Sequence, residues 1–185
     1  MNFGKISIAA LSVAISLTQP LSAASSTLLQ KGCREIESGN YANAVRTLSA
    51  AVRVNPQDLE ARRHLSNAMI EAGMEKEALQ QLNLIIRIEP ANPADYCLMA
   101  NAYYRIGDSQ NAAGKYKQAL AINQFHTAAR IGLTRTLLSM GKLKSARELC
   151  LESMKLDPAY RSMYQELLNA IRTRSSSGET GELKS

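Results

Sequence analysis

The reactive side chains in this 185-residue sequence are few: three cysteines and two histidines, with no tryptophan. Cys33, Cys97 and Cys150 form an odd set, so at most one disulfide can form and one thiol is left over. Their spacings fit no zinc pattern, and two histidines add little, so neither a metal nor a cofactor is expected. One pairing has catalytic potential. Cys33 and His64 would face each other across neighbouring helices, and a thiolate nucleophile needs such a base. No third orienting residue or oxyanion device accompanies them. The other available chemistry is recognition. Asn67, Asn101 and Arg135 follow one another at intervals of 34 residues. An asparagine amide both donates and accepts, so it can pair with the main chain of a bound peptide. Arg63, Arg105 and Arg135 add planar forks suited to carboxylates.

Those residues need elements that hold them in line, and the same interval runs through the whole chain. Gly39, Gly73, Gly107 and Gly141 share it, as do Ala44, Ala78, Ala112 and Ala146. Pro56, Pro90 and Pro158 share it too, with Gln124 at the skipped place. Each period reads as two helices. Leu59, Leu65, Ala68, Met69 and Ala72 fall mainly on one helical face, Asp58 can cap the start and Gly73 can end it. A second helix follows and stops at Pro90, because proline cannot continue the ladder. The alanine column lies early in each second helix, where paired helices cross closest and a larger side chain would push the axes apart. Leu48, Leu82, Tyr116 and Cys150, four residues on, fill the wider part of that interface. No stretch alternates with the period of a strand.

This 34-residue grammar resembles the tetratricopeptide repeat, whose signature is W-x2-L-G-x2-Y, then A-x3-F, then P. The third period is the nearest match, with Tyr96, Met99, Ala100, Tyr103, Gly107, Ala112 and Tyr116 in place. The resemblance implies an all-α fold, an α-solenoid of four helix-turn-helix units at 25–58, 59–92, 93–126 and 127–160. A C-terminal capping helix at 161–173 would close the last apolar face, and 174–185 reads as a disordered tail. The resemblance also implies that first helices line a concave groove that binds a partner peptide or helix. Transferred column by column, the groove residues are Arg63, Asn67, Asn101, Tyr104, Arg105 and Arg135, while Leu29, Cys33, Cys97 and Ile131 fill other groove places. The family's two-carboxylate clamp is not matched: started at the second unit, Arg63 and Asn67 fit but Leu98, Ala128 and Gly132 do not.

Residues 1–24 have the three parts of a secretory signal peptide: a basic "MNFGK", the apolar "ISIAALSVAISL" and a small-residue "LSAA". Cleavage is expected after Ala24, or else after Ala23, leaving no membrane span, since about 20 apolar residues are needed to cross a bilayer. Export, most simply to a bacterial periplasm, follows; secretion and retention by an uncleaved anchor are the alternatives. Net charge is +6, yet the chain contains no run of five or six basic residues, which argues against nucleic acid. The expected function is therefore a non-catalytic protein–protein interaction scaffold in envelope or secretion-machinery assembly, with its oligomeric state open. The alternative is a thiol enzyme or redox-active protein using Cys33 and His64.

Overall fold

The structure is a computed structural model that describes the backbone of residues 8–176 and the side chains from residue 23 onward. Among these residues the helices are α1 (Ile8–Glu37), α2 (Tyr41–Val54), α3 (Leu59–Glu71), α4 (Glu75–Ile88) and α5 (Pro93–Arg105). They continue with α6 (Ser109–Ile122), α7 (Thr127–Ser139), α8 (Leu143–Leu156) and α9 (Arg161–Ser176), and Pro158–Tyr160 forms a 3-10 turn. The protein is all-α, an α-solenoid of helical hairpins followed by the lone helix α9. Of the expected signal segment, residues 1–7 lie outside the described residues, and residues 8–24 run without a break into α1.

The chain forms two compact units, Met1–Met74 and Glu75–Ser185. In the first, α1, α2 and α3 pack against one another. Ala44, Leu48 and Ala51 have no exposed surface, and Ala61 and Leu65 lie buried on α3. Gly32 makes the α1–α2 approach possible, since a Cβ there would sit 2.4 Å from Leu48 Cγ. The Asp58 carboxylate accepts from the Ala61 N–H at 2.9 Å, satisfying one of the unpaired donors at the start of α3. The Ser25 hydroxyl, itself buried, donates to Asp58 Oδ2 at 3.3 Å.

In the second unit α4 packs on α5, and the hairpins α5–α6 and α7–α8 share the packed face of α6 with α7. Ala112 and Ala146 have no exposed surface and sit in a core with Tyr116, Leu133 and Cys150. The hairpin turns pass through Gly107 (φ +84°) and Gly141 (φ +73°), in the left-handed region that a Cβ resists. Helix α9 covers α8 and α7 with Tyr164, Leu167, Leu168 and Ile171. It runs to Ser176, past the expected end at residue 173, because Arg174 Nη1 donates to the Leu138 carbonyl at 2.6 Å near the negative end of α7. Residues 177–185, most of the expected tail, lie outside the described residues.

The missing proline at position 124 has a local remedy. Arg130, buried on α7, donates from Nε to the Gln124 carbonyl at 2.7 Å and from Nη1 to Ser153 Oγ at 3.3 Å. In the first unit Arg62 makes the same six-residue reach, from Nη2 to the Pro56 carbonyl at 2.8 Å. A guanidinium that ties the loop back to its own helix restrains a turn that elsewhere also has a fixed proline φ.

Replacing Ala146 by Leu should destabilise the protein by about 1–3 kcal/mol through overpacking at the α7–α8 crossing. Ala121→Leu, on the exposed side of α6, should stay within about 0.5 kcal/mol of wild type. Thermal and urea melts followed by circular dichroism read both; equal stability of the two variants would contradict the close crossing.

Candidate recognition site

The expected groove residues fall in both units. Arg63 and Asn67 lie on α3 of the first, half-buried. Asn101, Tyr104 and Arg105 on α5 and Arg135 on α7 belong to the second, all exposed. Arg105 is engaged within that unit, its Nε 3.2 Å from Glu75 Oε1 on α4. Asn101, Tyr104 and Arg135 are brought together. They line a cavity of about 360 Å3 whose walls also include Ile131 and Met163, and Tyr116 lies beneath them. Four helices contribute: α5, α6, α7 and α9.

Two residues outside the expected set decide how that cavity is built. Tyr116 projects from α6 through the core, 3% exposed, and its hydroxyl donates to Asn101 Oδ1. Burial, then the neighbouring Cys97 and Tyr104, pushes its phenol above the ordinary value, with Arg135 opposing, so it remains a donor. Its ring passes where a side chain on α7 would stand. A Cβ on Gly132 would lie 2.3 Å from the ring. The bond takes one of the two lone pairs of the Asn101 amide oxygen and fixes which way the amide is turned, leaving the second lone pair and the N–H groups. In the sequence Gly132 stands out only as a departure from the clamp pattern. The signal available there was a large aromatic in the column of Leu48 and Leu82, set against a glycine.

The thiols point away from nucleophilic chemistry. Cys33 lines an open cleft of about 550 Å3 with Leu29, Gln30, Glu37 and Glu60. Burial first, then the charges of Glu60 and Glu37, holds its thiol protonated above the usual pKa. A nucleophilic cysteine needs the opposite shift. Among the described residues no hydrogen bond joins Cys33 to His64. Cys97, expected to face a groove, is buried at 7% exposure, and that burial pushes its thiol up to about 12. Its sulfur lies 3.6 Å from Nδ1 of His126. That imidazole is itself the cap of α7, where Nδ1 accepts from the Ala129 N–H at 3.3 Å. Asp58 and Asn92 fill the corresponding places before α3 and α5. Cys150, also buried and raised by desolvation, donates to the Tyr164 carbonyl at 3.8 Å. All three cysteines are free, and no cluster of metal-ligating side chains occurs among the described residues.

Known proteins place this architecture. A family model of the tetratricopeptide repeat matches residues 35–102 and 103–171. The inactive TPR repeat-containing thioredoxin TTL3 of Arabidopsis thaliana is 32% identical over 76 residues, 41% of this chain and 11% of that protein. The TPR repeat-containing protein YpiA of Bacillus subtilis is 23% identical over 131 residues, 71% of this chain. The chain thus spans under a third of the length of either relative. Among solved structures, Pseudomonas aeruginosa PilF superposes with a TM-score of 0.71 at 16% identity, covering 88% of this chain and 74% of that one. At that identity the likeness is one of fold.

Two outcomes follow from the polar contacts. A raised thiol pKa keeps the folded state neutral where the unfolded chain ionises, so stability present below pH 9 is lost as pH rises toward about 12. Urea midpoints across that window should fall in wild type and fall less steeply in Cys97→Ala; identical slopes would contradict the burial argument. At the cap, His126→Ala should cost about 0.5–2 kcal/mol. His126→Asn, which restores the kind of cap found at Asn92, should match or exceed wild type in the same measurement.

Proposed function

Since the chain belongs to the tetratricopeptide-repeat family, we propose that it is a non-catalytic scaffold that holds a segment of a partner protein against the first helices of its hairpins. The observation that carries this reading is the cavity of the second unit. It combines apolar walls, Tyr104, Ile131 and Met163, with two polar groups at its lining, Asn101 and Arg135. Recognition sites are commonly built in that way, mostly apolar with a few placed polar groups that fix orientation. Tyr104 leaves 40% of its surface open to such a ligand. The reading extends Arg63 and Asn67 on α3 to the same role for the first unit, and Arg105 to a supporting one through Glu75.

The signal-like segment supports a place in the cell envelope, and assembly of envelope or secretion machinery is the role we assign there. Cleavage after Ala24 would leave Ser25 as the first residue, and the Ser25 hydroxyl already contacts Asp58. A new ammonium at that residue would gain a nearby carboxylate. No helix among the described residues is long and apolar enough to cross a membrane.

A photo-crosslinking residue at position 104, introduced in the native host, should trap a discrete protein partner from the envelope fraction. The trap should weaken at least severalfold in the Asn67→Ala/Arg135→Gln double variant, whose melting curve should stay near that of wild type, since Arg135 is exposed and Asn67 half-buried. Equal trapping by both forms would remove these residues from the interface. Intact mass of the exported protein checks the rest: a chain beginning at Ser25 or Ala24 supports export with cleavage, and a full-length cytoplasmic product contradicts it.

A further inference from the structure

Apart from the groove, we propose that one edge of the second unit docks on an anionic lipid surface. Apolar side chains at the connections between hairpins enter the headgroup layer, and the basic residues beside them pair with lipid phosphates.

Nine large apolar side chains stand exposed among the described residues, and five of them lie at this edge: Ile88, Ile122, Phe125, Leu156 and Tyr160. Ile88, Ile122 and Leu156 end α4, α6 and α8 at intervals of 34 residues, so they occupy one column of the array. Phe125 and Tyr160 belong to the connections that follow α6 and α8. Those connections are held side by side. Cys97, near the start of α5, lies 3.6 Å from Nδ1 of His126, and Thr127 Oγ1 donates to Asp157 Oδ2 at 2.6 Å. Ile88 and Phe125 are 60% and 58% exposed, so the fold itself covers little of them. Single exposed apolar residues are ordinary, whereas a group gathered at one edge marks an interaction surface.

Charge names the partner. Arg87 precedes Ile88, Lys155 precedes Leu156 and Arg161 follows Tyr160, and all three are exposed. None of the three side chains has a hydrogen bond or ion pair among the described residues. The acidic residues near them are already engaged: Asp157 accepts from Thr127, Glu152 lies 3.5 Å from Arg130, and Glu89 has a partner. The edge therefore presents uncompensated positive charge beside apolar side chains. That composition binds an anionic interface, where buried apolar area and headgroup attraction add. A protein partner fits less well, because interface anchors sit in pockets, and none of the five side chains lines either cavity described above. A lipid surface needs no matching shape. Each apolar side chain inserts separately, and the stems of Arg87 and Lys155 lie along the boundary with their charges at the phosphates. The ring and hydroxyl of Tyr160 suit the same depth.

The chain has no tryptophan, so Phe125→Trp places a single fluorescent reporter at the edge of the full-length protein, and Tyr104→Trp places one in the groove. Each variant is titrated at low salt with phosphatidylcholine vesicles that contain or lack phosphatidylglycerol. The Phe125→Trp emission should shift to the blue with phosphatidylglycerol present and far less without it, while the Tyr104→Trp emission stays unchanged. In the Phe125→Trp background, Arg87→Gln with Lys155→Gln should weaken binding at least about tenfold, as should salt at about 0.5 M. Ile88→Ser with Leu156→Ser should weaken it with the charges intact. All the substituted residues are exposed, and melting curves should stay near that of wild type. No shift with either vesicle, equal shifts with both, or binding unaffected by the glutamine variants would each overturn the proposal. So would a blue shift without lipid that grows with protein concentration, since that places a second copy on the edge. Attachment through the apolar residues 6–17 alone would leave the Phe125→Trp emission where it was, and counts as no shift. Crosslinking from position 104 is a separate readout, so failure here leaves the scaffold reading standing.

Discussion

The fold depends on how closely two helices can approach at a turn. Four alanines spaced by 34 residues, Ala44, Ala78, Ala112 and Ala146, have no exposed surface at all. At such a position one extra methylene has nowhere to go, because protein interiors pack at crystal density. Tight hairpins in turn fix where each first helix begins, and with it which residues of that helix face outward. The glycines at the turns serve the same constraint from the other side. Gly107 and Gly141 reverse the chain in a left-handed conformation, which lets helices of only 13 or 14 residues return against each other at once. Without that reversal the alanine contact would slide along the helices.

Much of this could be read from the sequence because it is local and periodic. Leu59, Pro93 and Thr127 each open a helix one interval after the last, and Asp58 caps α3 as its side-chain chemistry implies. What could not be read was the direction of particular side chains across repeats. Cys97 shares a column with Leu29, Arg63 and Ile131, which are half-buried, yet it is itself buried beside His126. The column position says nothing of the imidazole 29 residues later, which reaches back because it caps the next helix. Arg105 likewise looks like a groove cation until Glu75 is seen beside it. The end of α9 was missed because its last turn is held by a long-range contact, Arg174 to the Leu138 carbonyl, and the local composition there is polar.

Residues 101, 116 and 132 show how side chains in different columns act together. A tyrosine stands at 116, where the neighbouring repeats have Leu82 and Cys150. That choice brings a hydroxyl into the core, and a buried hydroxyl needs a partner. The partner is Asn101, and the ring's route requires Gly132. Three residues on three helices are therefore mutually conditioned, though none shares a column with another. A search for family motifs passes over Tyr116, which fits the signature, and registers only Gly132 as a departure. Considered together they describe one device, a core phenol that orients a surface amide.

The distribution of guanidinium groups strengthens that interpretation. Arg62 and Arg130 hold loop carbonyls, Arg174 holds a helix end, and Arg105 holds a carboxylate on the adjacent helix. Each has a structural acceptor within 3.2 Å, so the positive charge is already directed by the fold. Arg135 has no such acceptor among the described residues and stands at a cavity that contains no carboxylate. An exposed cation costs little in water, so stability does not explain its place. Arg62, Arg105, Arg130 and Arg174 thus hold the array together through acceptors that the protein itself supplies.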